Sequence, residues 1–531
     1  MSRIQFPYRR ESTRRQNSSP DSGDFVTGGS HNYSIDSEQT APSGQRAGSG
    51  AGPGAAGETT GRDAGPAAGS AEVASGSAGQ AGAATGPALL EALAGRRPAR
   101  TPVWFMRQAG RSLPEYRALR ARAGVPMLEA CLDPALAAEV TLQPVRRHGV
   151  DAAVFFSDIM VPLRLAGVGV RIEEGVGPVL DAPVRSGREV SELVAHRFGD
   201  GPGAEGVGAV EEAVRRVVVE LGSPQVPGRE GLSERARAGL EHSAGAAGWT
   251  PVLAFGGAPF TLAAYLVEGR PSRDHLAART LMRADPDSWD RLMTWCARLT
   301  GEFIATQVRA GAAAAQLFDS WAGSLSPRAY RERVAPYSAL ALDVARQAVS
   351  PTTGEAAPLI HFGTGTARLL GLMRQAGADA VGVDERIDLG EAIEALAGAD
   401  PQAGACPVQG NLDPALLAAP WPLVAEEVDA VVAAGSAAPG HVVNLGHGVP
   451  PATDADVLTR IVARVHDSAD WESVALAGWD AVTDAPAQTA EAAGGSSVSR
   501  RDRQEPGRQA PRGPGGRPLA RTTRRPGREE H

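Results

Sequence analysis

The chain has 531 residues, 42% hydrophobic and 21% charged, and its formal net charge of −8 opposes general binding to nucleic acid. Cys131, Cys296 and Cys406 lie far apart and form no CxxC pair, which excludes a disulfide framework and indicates a reducing compartment. No apolar run reaches the roughly 18 to 20 residues of a membrane span, and the first residues lack the apolar segment of a secretion signal. We therefore expect a cytoplasmic protein that does not enter a membrane, although an Arg- and Ser-rich start is also typical of an organellar transit peptide.

Both ends of the chain differ in composition from its middle. Residues 1–86 are dominated by Gly, Ala, Ser and Thr, and residues 483–531 change from Ala- and Gly-rich to Arg- and Pro-rich. Such segments bury too little apolar surface to offset the entropy of ordering them, so we predict two disordered tails. The basic C-terminal tail has no interleaved aromatic residues, which favours a solvated tail over one that binds nucleic acid. Residues 87–482 then form the folded domain.

Eight short apolar runs alternate, within this domain, with longer stretches of helical character. Each run ends in polar or glycine residues, as a buried strand does before a loop. The predicted strands are, in chain order, residues 102–106, 151–156, 251–255, 313–318, 359–362, 380–383, 406–409 and 441–445. Asp133-Pro134 and Ser326-Pro327 predict two helix starts, because a capping side chain precedes a proline there.

The alternation of strands and helices predicts an α/β fold with a parallel sheet. Eight repeats in a domain of this size predict a single (β/α)8 TIM barrel. The longest spacing separates the second and third predicted strands. It contains residues 223–249, which are rich in Gly, Ser, Arg and Glu without a clean period, and we interpret them as a surface insertion.

In such barrels the chemistry takes place in the loops that follow the carboxyl ends of the strands. The polar and glycine residues at these positions form one candidate ring, which we call the strand-end ring. Its members are Arg107, Arg111, Asp158, residues 256–259, Asp319, Ser320, residues 363–366, Asp384, Asn411, Asp413 and His447. The ring contains no nucleophile elbow, Walker loop, HExxH pair or lysine.

Arg107 and Arg111 are four residues apart and flank Gln-Ala-Gly directly after the first predicted strand. If the segment turns into a helix, both guanidinium groups lie on one side, near a helix N-terminus that favours anions. Because arginine pairs with carboxylates through a planar fork, two of them suggest a substrate with several carboxylates. Spacing alone leaves surface salt-bridging equally open.

Six segments resemble the uroporphyrinogen decarboxylase family, in the order in which that family has them. Met-Arg-Gln-Ala-Gly-Arg at 106–111 is similar to its first signature, and Phe-Gly-Gly-Ala-Pro-Phe-Thr-Leu-Ala-Ala-Tyr at 255–265 opens a segment similar to its second. The further matching segments are residues 155–159, 316–320, 409–414 and 444–448. The resemblance spans nearly the whole predicted domain and implies a TIM barrel that works as a homodimer.

The resemblance also implies a reaction. The family removes four acetate carboxyl groups from uroporphyrinogen III, which leaves methyl groups and gives coproporphyrinogen III. A protonated pyrrole ring of the substrate can take up the electrons that each departing CO2 leaves behind, so no cofactor is expected and no metal either. The protein must stabilise a cationic ring and hold the carboxylates.

The resemblance assigns roles to individual residues. Asp158 would receive the pyrrole N–H groups and stabilise the positive charge of the ring. Arg107 and Arg111 would bind substrate carboxylates, with Arg107 a candidate proton donor. Further substrate contacts fall on the side chains or backbone N–H groups of Gln108, Ala109, Gly110, Tyr265, Ser320 and His447.

Four of these residues also have an ordinary structural interpretation. Asp158 and Ser320 are residue types that cap helices, Tyr265 suits a half-buried position with a bonded hydroxyl, and His447 stands between glycines where it can pack. The position of His447 after the last predicted strand favours a functional role.

Two positions depart from the family's pattern. Glu385 follows Asp384 where the family commonly has Trp, and Ala254 stands where the second signature usually has Gly. The first change affects the loop after the sixth predicted strand, where no expected catalytic group lies.

Two other functions remain as alternatives. Related barrels include zinc-dependent methyltransferases, but Cys131, Cys296, His361, His441 and His447 form no recognisable ligand set. A tetrapyrrole-binding protein without turnover would keep the pocket, yet it has less need of a charged group such as Asp158 at the ring centre.

Overall fold

A computed structural model describes residues 86–200, 203–222, 232–399 and 404–476. The two segments predicted to be disordered, 1–86 and 483–531, lie outside the described residues except for Gly86. Those predictions, and the end of the folded domain at residue 482, therefore remain predictions.

Seven strands form one parallel sheet and two form a separate antiparallel hairpin. Their order in the large sheet is β1-β4-β5-β6-β7-β8-β9, so strands that follow each other in the chain are neighbours in space once the β2–β3 hairpin is set aside. The strands are β1 Ala153–Val154, β2 Val170–Glu173, β3 Gly177–Leu180, β4 Val252–Gly257, β5 Ala314–Asp319, β6 Leu359–Gly363, β7 Ala380–Gly382, β8 Val408–Gln409 and β9 His441–Val442. Every residue of β4, β6 and β7 is buried, as expected for a parallel sheet that is covered on both faces.

Residues 102–106 do not form the first predicted strand, so that prediction is wrong. The segment nevertheless lies where a strand of the sheet would lie. Val103 forms a parallel bridge with Val443, and its carbonyl accepts the N–H of Asp151 at 2.9 Å. The segment thus bonds to chain beside β9 on one side and beside β1 on the other. It does not extend into a ladder because side chains take its donors: the N–H of Val103 bonds to Asp151 Oδ2, and that of Met106 to Asn444 Oδ1.

Helices connect the strands and cover the sheet. Those before β4 are α1 Ala88–Leu93, α2 Pro114–Ala123, α3 Met127–Cys131, α4 Pro134–His148, α5 Val161–Leu165, α6 Gly187–Leu193, α7 Gly203–Leu221 and α8 Glu234–Ala244. Those after it are α9 Pro259–Glu268, α10 Leu276–Ala284, α11 Pro286–Arg309, α12 Pro327–Arg333, α13 Ala335–Arg346, α14 Leu370–Gln375, α15 Leu389–Ala399, α16 Trp421–Gly435, α17 Ala455–Val465 and α18 Ala469–Leu476.

Both helix starts that the sequence predicts are confirmed. Helix α4 begins at Pro134, and the Asp133 carboxylate accepts two backbone N–H groups of its first turn. Helix α12 begins at Pro327, and the Ser326 hydroxyl accepts the N–H of Ala329. In each case the proline stands where its missing N–H costs nothing.

Part of the segment interpreted as a surface insertion is packed into the domain. Residues 223–231 lie outside the described residues, but α8 follows and buries Ala236 and Leu240. Gly239 lies so close to α4 that a Cβ atom would be 2.0 Å from the carbonyl oxygen of Arg146. The surface insertion at 223–249 stays a prediction, but residues 234–244 within it form a packed helix, because the Gly and Ala residues of α8 serve close helix packing.

Candidate active site

The loop after residue 105 is fixed by the buried side chain of Gln108. Its Oε1 accepts the N–H of Phe105 at 3.0 Å, and its Nε2 donates to the carbonyl of Ala152 at 2.9 Å. The N–H of Gln108 donates to the carbonyl of Phe105, so that donor is already used. Ala109 and Gly110 follow in the same turn and are half-buried. Gln108 therefore attaches the loop to the chain that leads into β1.

Arg107 projects from this loop with a left-handed backbone, φ 63°, and its side chain is exposed. It lies against Gly448, where a Cβ atom would come within 2.4 Å of Arg107 Cδ. A side chain at 448 would therefore displace the Arg107 side chain from its present position. The loop after the last strand and the loop after residue 105 meet at this contact.

Asp158 follows β1 and is half-buried. Its Oδ1 accepts the N–H of Met160 at 2.8 Å, a turn that precedes α5. Burial raises the pKa of the Asp158 carboxyl, and the Met160 N–H and the Arg107 charge oppose that rise only in part. Met160, not Asp158, occupies the N-cap position of α5, so the carboxylate is a turn acceptor rather than a helix cap.

Tyr265 projects from α9 into the same electrostatic environment. Burial raises the pKa of Tyr265 to about 12, the Asp158 carboxylate adds to the rise, and Arg107 opposes it. Each of these groups therefore lies within electrostatic range of the other two. An anion, a cation and a phenol from three different loops or helices meet at the carboxyl end of the sheet.

His447 is exposed, which contradicts the interpretation of a packed residue between glycines. Desolvation and the Arg107 charge lower the pKa of His447, whereas the Glu385 carboxylate acts in the opposite direction. Glu385 packs on the backbone of Gly446, next to the histidine. His447 therefore joins Arg107, Asp158 and Tyr265 in one group, which we call the charged cluster.

Ser320 and Arg111 have other surroundings. Ser320 is half-buried, and its carbonyl accepts the Thr364 hydroxyl at 2.7 Å. The next helix is capped by Ser326, so Ser320 is not the cap that the sequence suggested. Arg111 is exposed, its carbonyl accepts Arg117 Nη1, and its charge acts on Tyr116.

Several members of the strand-end ring form framework instead of site. Asp384 accepts the N–H of Gly365, and its carbonyl accepts Asn411 Nδ2 at 2.9 Å. Asp319 is fully buried and accepts the Thr261 hydroxyl at 3.0 Å. These bonds join neighbouring segments within the protein, although Asp319 Oδ2 has no hydrogen-bond partner among the described residues and lies 3.7 Å from His361 Nε2.

Trp321, the residue after Ser320, is not among the site residues that the sequence predicts. Its ring stacks on that of Tyr265 with centroids 3.9 Å apart. An aromatic residue directly after Asp319-Ser320, at the end of a predicted strand, was the available signal. A stack with a residue of another helix could not be deduced from it.

The described residues hold no group of three or more His, Cys, Asp or Glu side chains that could bind a metal ion. Cys131, Cys296 and Cys406 are each buried as free thiols. Among the helices of the described ranges, none is long and apolar enough to cross a membrane.

Comparison with known proteins identifies the family. The family model for uroporphyrinogen decarboxylase (URO-D) matches residues 85–228 and 240–468. The unmatched residues 229–239 overlap the start of α8 and the segment interpreted as an insertion.

Curated relatives match over most of the chain. The uroporphyrinogen decarboxylase of Arthrobacter sp. (strain FB24) is 53% identical over 378 residues, which cover 71% of this chain and 96% of the relative. That of Leifsonia xyli subsp. xyli is 52% identical over 387 residues, 71% of this chain and 93% of the relative.

A solved structure of a methyltransferase from Methanosarcina mazei is also similar, with a TM-score of 0.51. It is 16% identical and covers 71% of this chain and 97% of the other. At this identity the likeness concerns the fold alone.

Proposed function

The chain belongs to the uroporphyrinogen decarboxylase family, and we propose that it converts uroporphyrinogen III to coproporphyrinogen III by removing four acetate carboxyl groups. The observation that carries the proposal is the charged cluster, in which a half-buried carboxylate, Asp158, lies within electrostatic range of Arg107 and Tyr265, and Arg107 lies within electrostatic range of His447. A substrate with cationic reacting rings and many carboxylates needs both signs of charge in one cleft.

Each decarboxylation breaks the bond between an acetate methylene and its carboxyl carbon. The electron pair of that bond passes into the protonated pyrrole ring and CO2 leaves. A proton added at the methylene carbon then gives a methyl group, and release of the ring proton restores the neutral pyrrole. Asp158 stabilises the cationic ring and accepts pyrrole N–H groups. Only one of its oxygens bonds to Met160, which leaves the other for the substrate. The substrate serves as its own electron sink, so no cofactor or metal is needed.

Arg107 and Arg111 bind substrate carboxylates, and Arg107 is the candidate proton donor. Tyr265, Ser320 and His447 contact polar groups of the substrate, together with backbone N–H groups of Ala109 and Gly110. The N–H of Gln108 bonds to Phe105, so Gln108 contributes by fixing the loop that carries Arg107.

The finer architecture belongs to the same proposal. Residues 102–104 bond to chain beside both outer strands of the parallel sheet, which supports a closed (β/α)8 barrel with this segment as its eighth member. We assign the enzyme to the cytoplasm and expect it to act as a homodimer, without nucleic-acid or membrane partners.

Anaerobic conversion of uroporphyrinogen III by the purified chain tests the function, with the number of product carboxyl groups read by chromatography. We expect the four-carboxyl product from the wild type and a rate about 10²- to 10³-fold lower from Asp158→Ala, the usual cost of removing a preorganised charge-stabilising group. Asp429→Ala is the matched control, because this exposed carboxylate pairs with Arg464 away from the site.

Folded wild-type protein that converts nothing would refute the proposal. If that protein nevertheless bound the porphyrinogen, the binding-protein alternative would replace it.

A further inference from the structure

Three rings form a continuous stack beside the charged cluster. The Trp321 ring lies 3.9 Å from that of Tyr265 at an angle of 28°, and 4.4 Å from that of His275 at 36°. We call these three residues the ring stack. Its Tyr265 end lies within electrostatic range of Asp158 and Arg107, whereas its His275 end is buried.

The backbone of Trp321 is attached to the helix that carries Tyr265. The N–H of Trp321 donates to Thr261 Oγ1 at 3.4 Å, and the Thr261 hydroxyl donates to Asp319 Oδ1 at 3.0 Å. Because Thr261 and Tyr265 are four residues apart in α9, they lie on one face of that helix. One of them fixes the backbone of Trp321 and the other receives its ring.

The other end of the stack is fixed by hydrogen bonds of His275. The Ser324 hydroxyl donates to the carbonyl of Trp321 at 2.8 Å, so its oxygen accepts from His275 Nδ1 at 3.2 Å. His275 therefore carries its proton on Nδ1. Its backbone is left-handed, φ 51°, and its N–H donates to Ser272 Oγ. A non-glycine residue in this conformation indicates that the surroundings impose its place.

We propose that Trp321 and His275 are positioning residues, which hold the Tyr265 ring in one orientation toward the substrate. The proposal rests on the proposed function. Stacking on a fixed indole restricts the side-chain torsions of Tyr265, so its hydroxyl is preorganised before substrate binds. Misplacement of such a group by about 1 Å lowers rates by about 10²-fold.

Kinetics of ring variants test this positioning. We expect Trp321→Ala to lower kcat/KM by about 10- to 10²-fold, mainly through kcat, and Trp321→Phe to restore most of it because an aromatic face remains. His275→Leu removes the outer ring and should give a smaller decrease of the same kind. Trp421→Ala is the matched control: it removes a half-buried indole that packs under Arg460, and kcat/KM should stay unchanged.

A double-mutant cycle separates positioning from general damage. In a Tyr265→Phe background the hydroxyl is gone, so Trp321→Ala should lower kcat/KM by less than about twofold further. An undiminished decrease in that background, or rescue by Trp321→Leu as good as that by Trp321→Phe, would overturn the proposal.

A second measurement needs no turnover. In protein with 13C-labelled tyrosine, the two edges of the Tyr265 ring should give separate signals in the wild type and an averaged signal in Trp321→Ala. Unchanged signals would overturn the positioning role even in an active enzyme. An inactive wild type with the expected signal change would refute only the proposed function.

Discussion

One aspartate precedes strand β1 and another follows it, and the two carboxylates have opposite surroundings. Asp151, before the strand, has both oxygens bonded: to Arg100 Nε and Nη2 at 3.0 and 2.7 Å, to the Val103 N–H, and to His466 Nε2 at 2.8 Å. Burial would raise the pKa of Asp151, but these partners outweigh it and the pKa is lowered. Asp158, beyond the strand, has one backbone bond and a raised pKa.

The difference shows what each end of the sheet does. At the amino end, further bonds join Asp151 to helices. His466 follows α17, and its Nδ1 shares a hydrogen bond with His242 Nε2 at 2.8 Å; His242 of α8 stacks on Trp471 of α18. We call Arg100, Asp151, His242 and His466 the amino-end network. At the carboxyl end the charged groups lie near one another but do not satisfy one another's hydrogen-bonding capacity. Leaving these charges available for a substrate lowers the stability of the carboxyl end, whereas the fully bonded network stabilises the amino end.

The largest effect on stability should come from Asp151→Ala. The change removes the carboxylate partner of the Arg100 guanidinium, which keeps the carbonyls of His242 and Ser243 as acceptors. It also leaves the Val103 N–H and the His466 ring without this acceptor. We expect the free energy of unfolding to fall by about 3 kcal/mol, near the lower limit for a broken buried ion pair because Arg100 keeps some solvent access. Denaturant unfolding measures it, with exposed Asp429→Ala as control at less than about 1 kcal/mol. Equal losses for the two variants would remove the contrast between the ends.

Substitution of Arg107 should have the opposite effect to Asp151→Ala: activity should fall without a loss of stability. Its left-handed backbone is costly for any residue with a Cβ atom, so Arg107→Gly should be more stable than Arg107→Ala by about 1 kcal/mol. Both variants should lose about 10²-fold in kcat/KM, since both lack the guanidinium. Thermal unfolding and steady-state kinetics check the pair; an alanine variant as stable as the glycine variant would contradict the strain.

The effect that is smallest near neutral pH concerns acid stability and the amino-end network. Burial, helped by His466 and Arg100 and opposed by Asp151, lowers the pKa of His242 to about 3. Between pH 6.5 and 3 the unfolded chain therefore binds a proton at His242 that the folded chain does not, so stability falls as pH falls, by up to about 1.4 kcal/mol per unit. His242→Gln should flatten the decline in denaturant midpoint over this window. The slope will not vanish, because burial also lowers the pKa of His148 and His441.

Much of the fold could be predicted because its signals are local. Seven of the eight predicted strands overlap observed ones, and two helix starts are correct, since short apolar runs and Asp-Pro or Ser-Pro pairs act within a few residues. Residues 102–106 do not form the predicted strand, because the side chains of Asp151 and Asn444, distant in sequence, accept backbone N–H groups of this segment. The helix at 234–244 was not predicted, because the small residues that its close packing on α4 requires are also typical of loops.

The site divides in the same way. The sequence by itself determined the family, through six short segments, and it determined which residue types follow each strand. Only the tertiary structure decided which of those residues lie within electrostatic range of one another. It places Asp158, Tyr265 and His447 each in range of Arg107, and it uses Asp319, Asp384 and Asn411 as framework. The physical reason is that a polar side chain at a strand end either meets a partner from a neighbouring loop or does not. That outcome depends on distances between segments far apart in the chain.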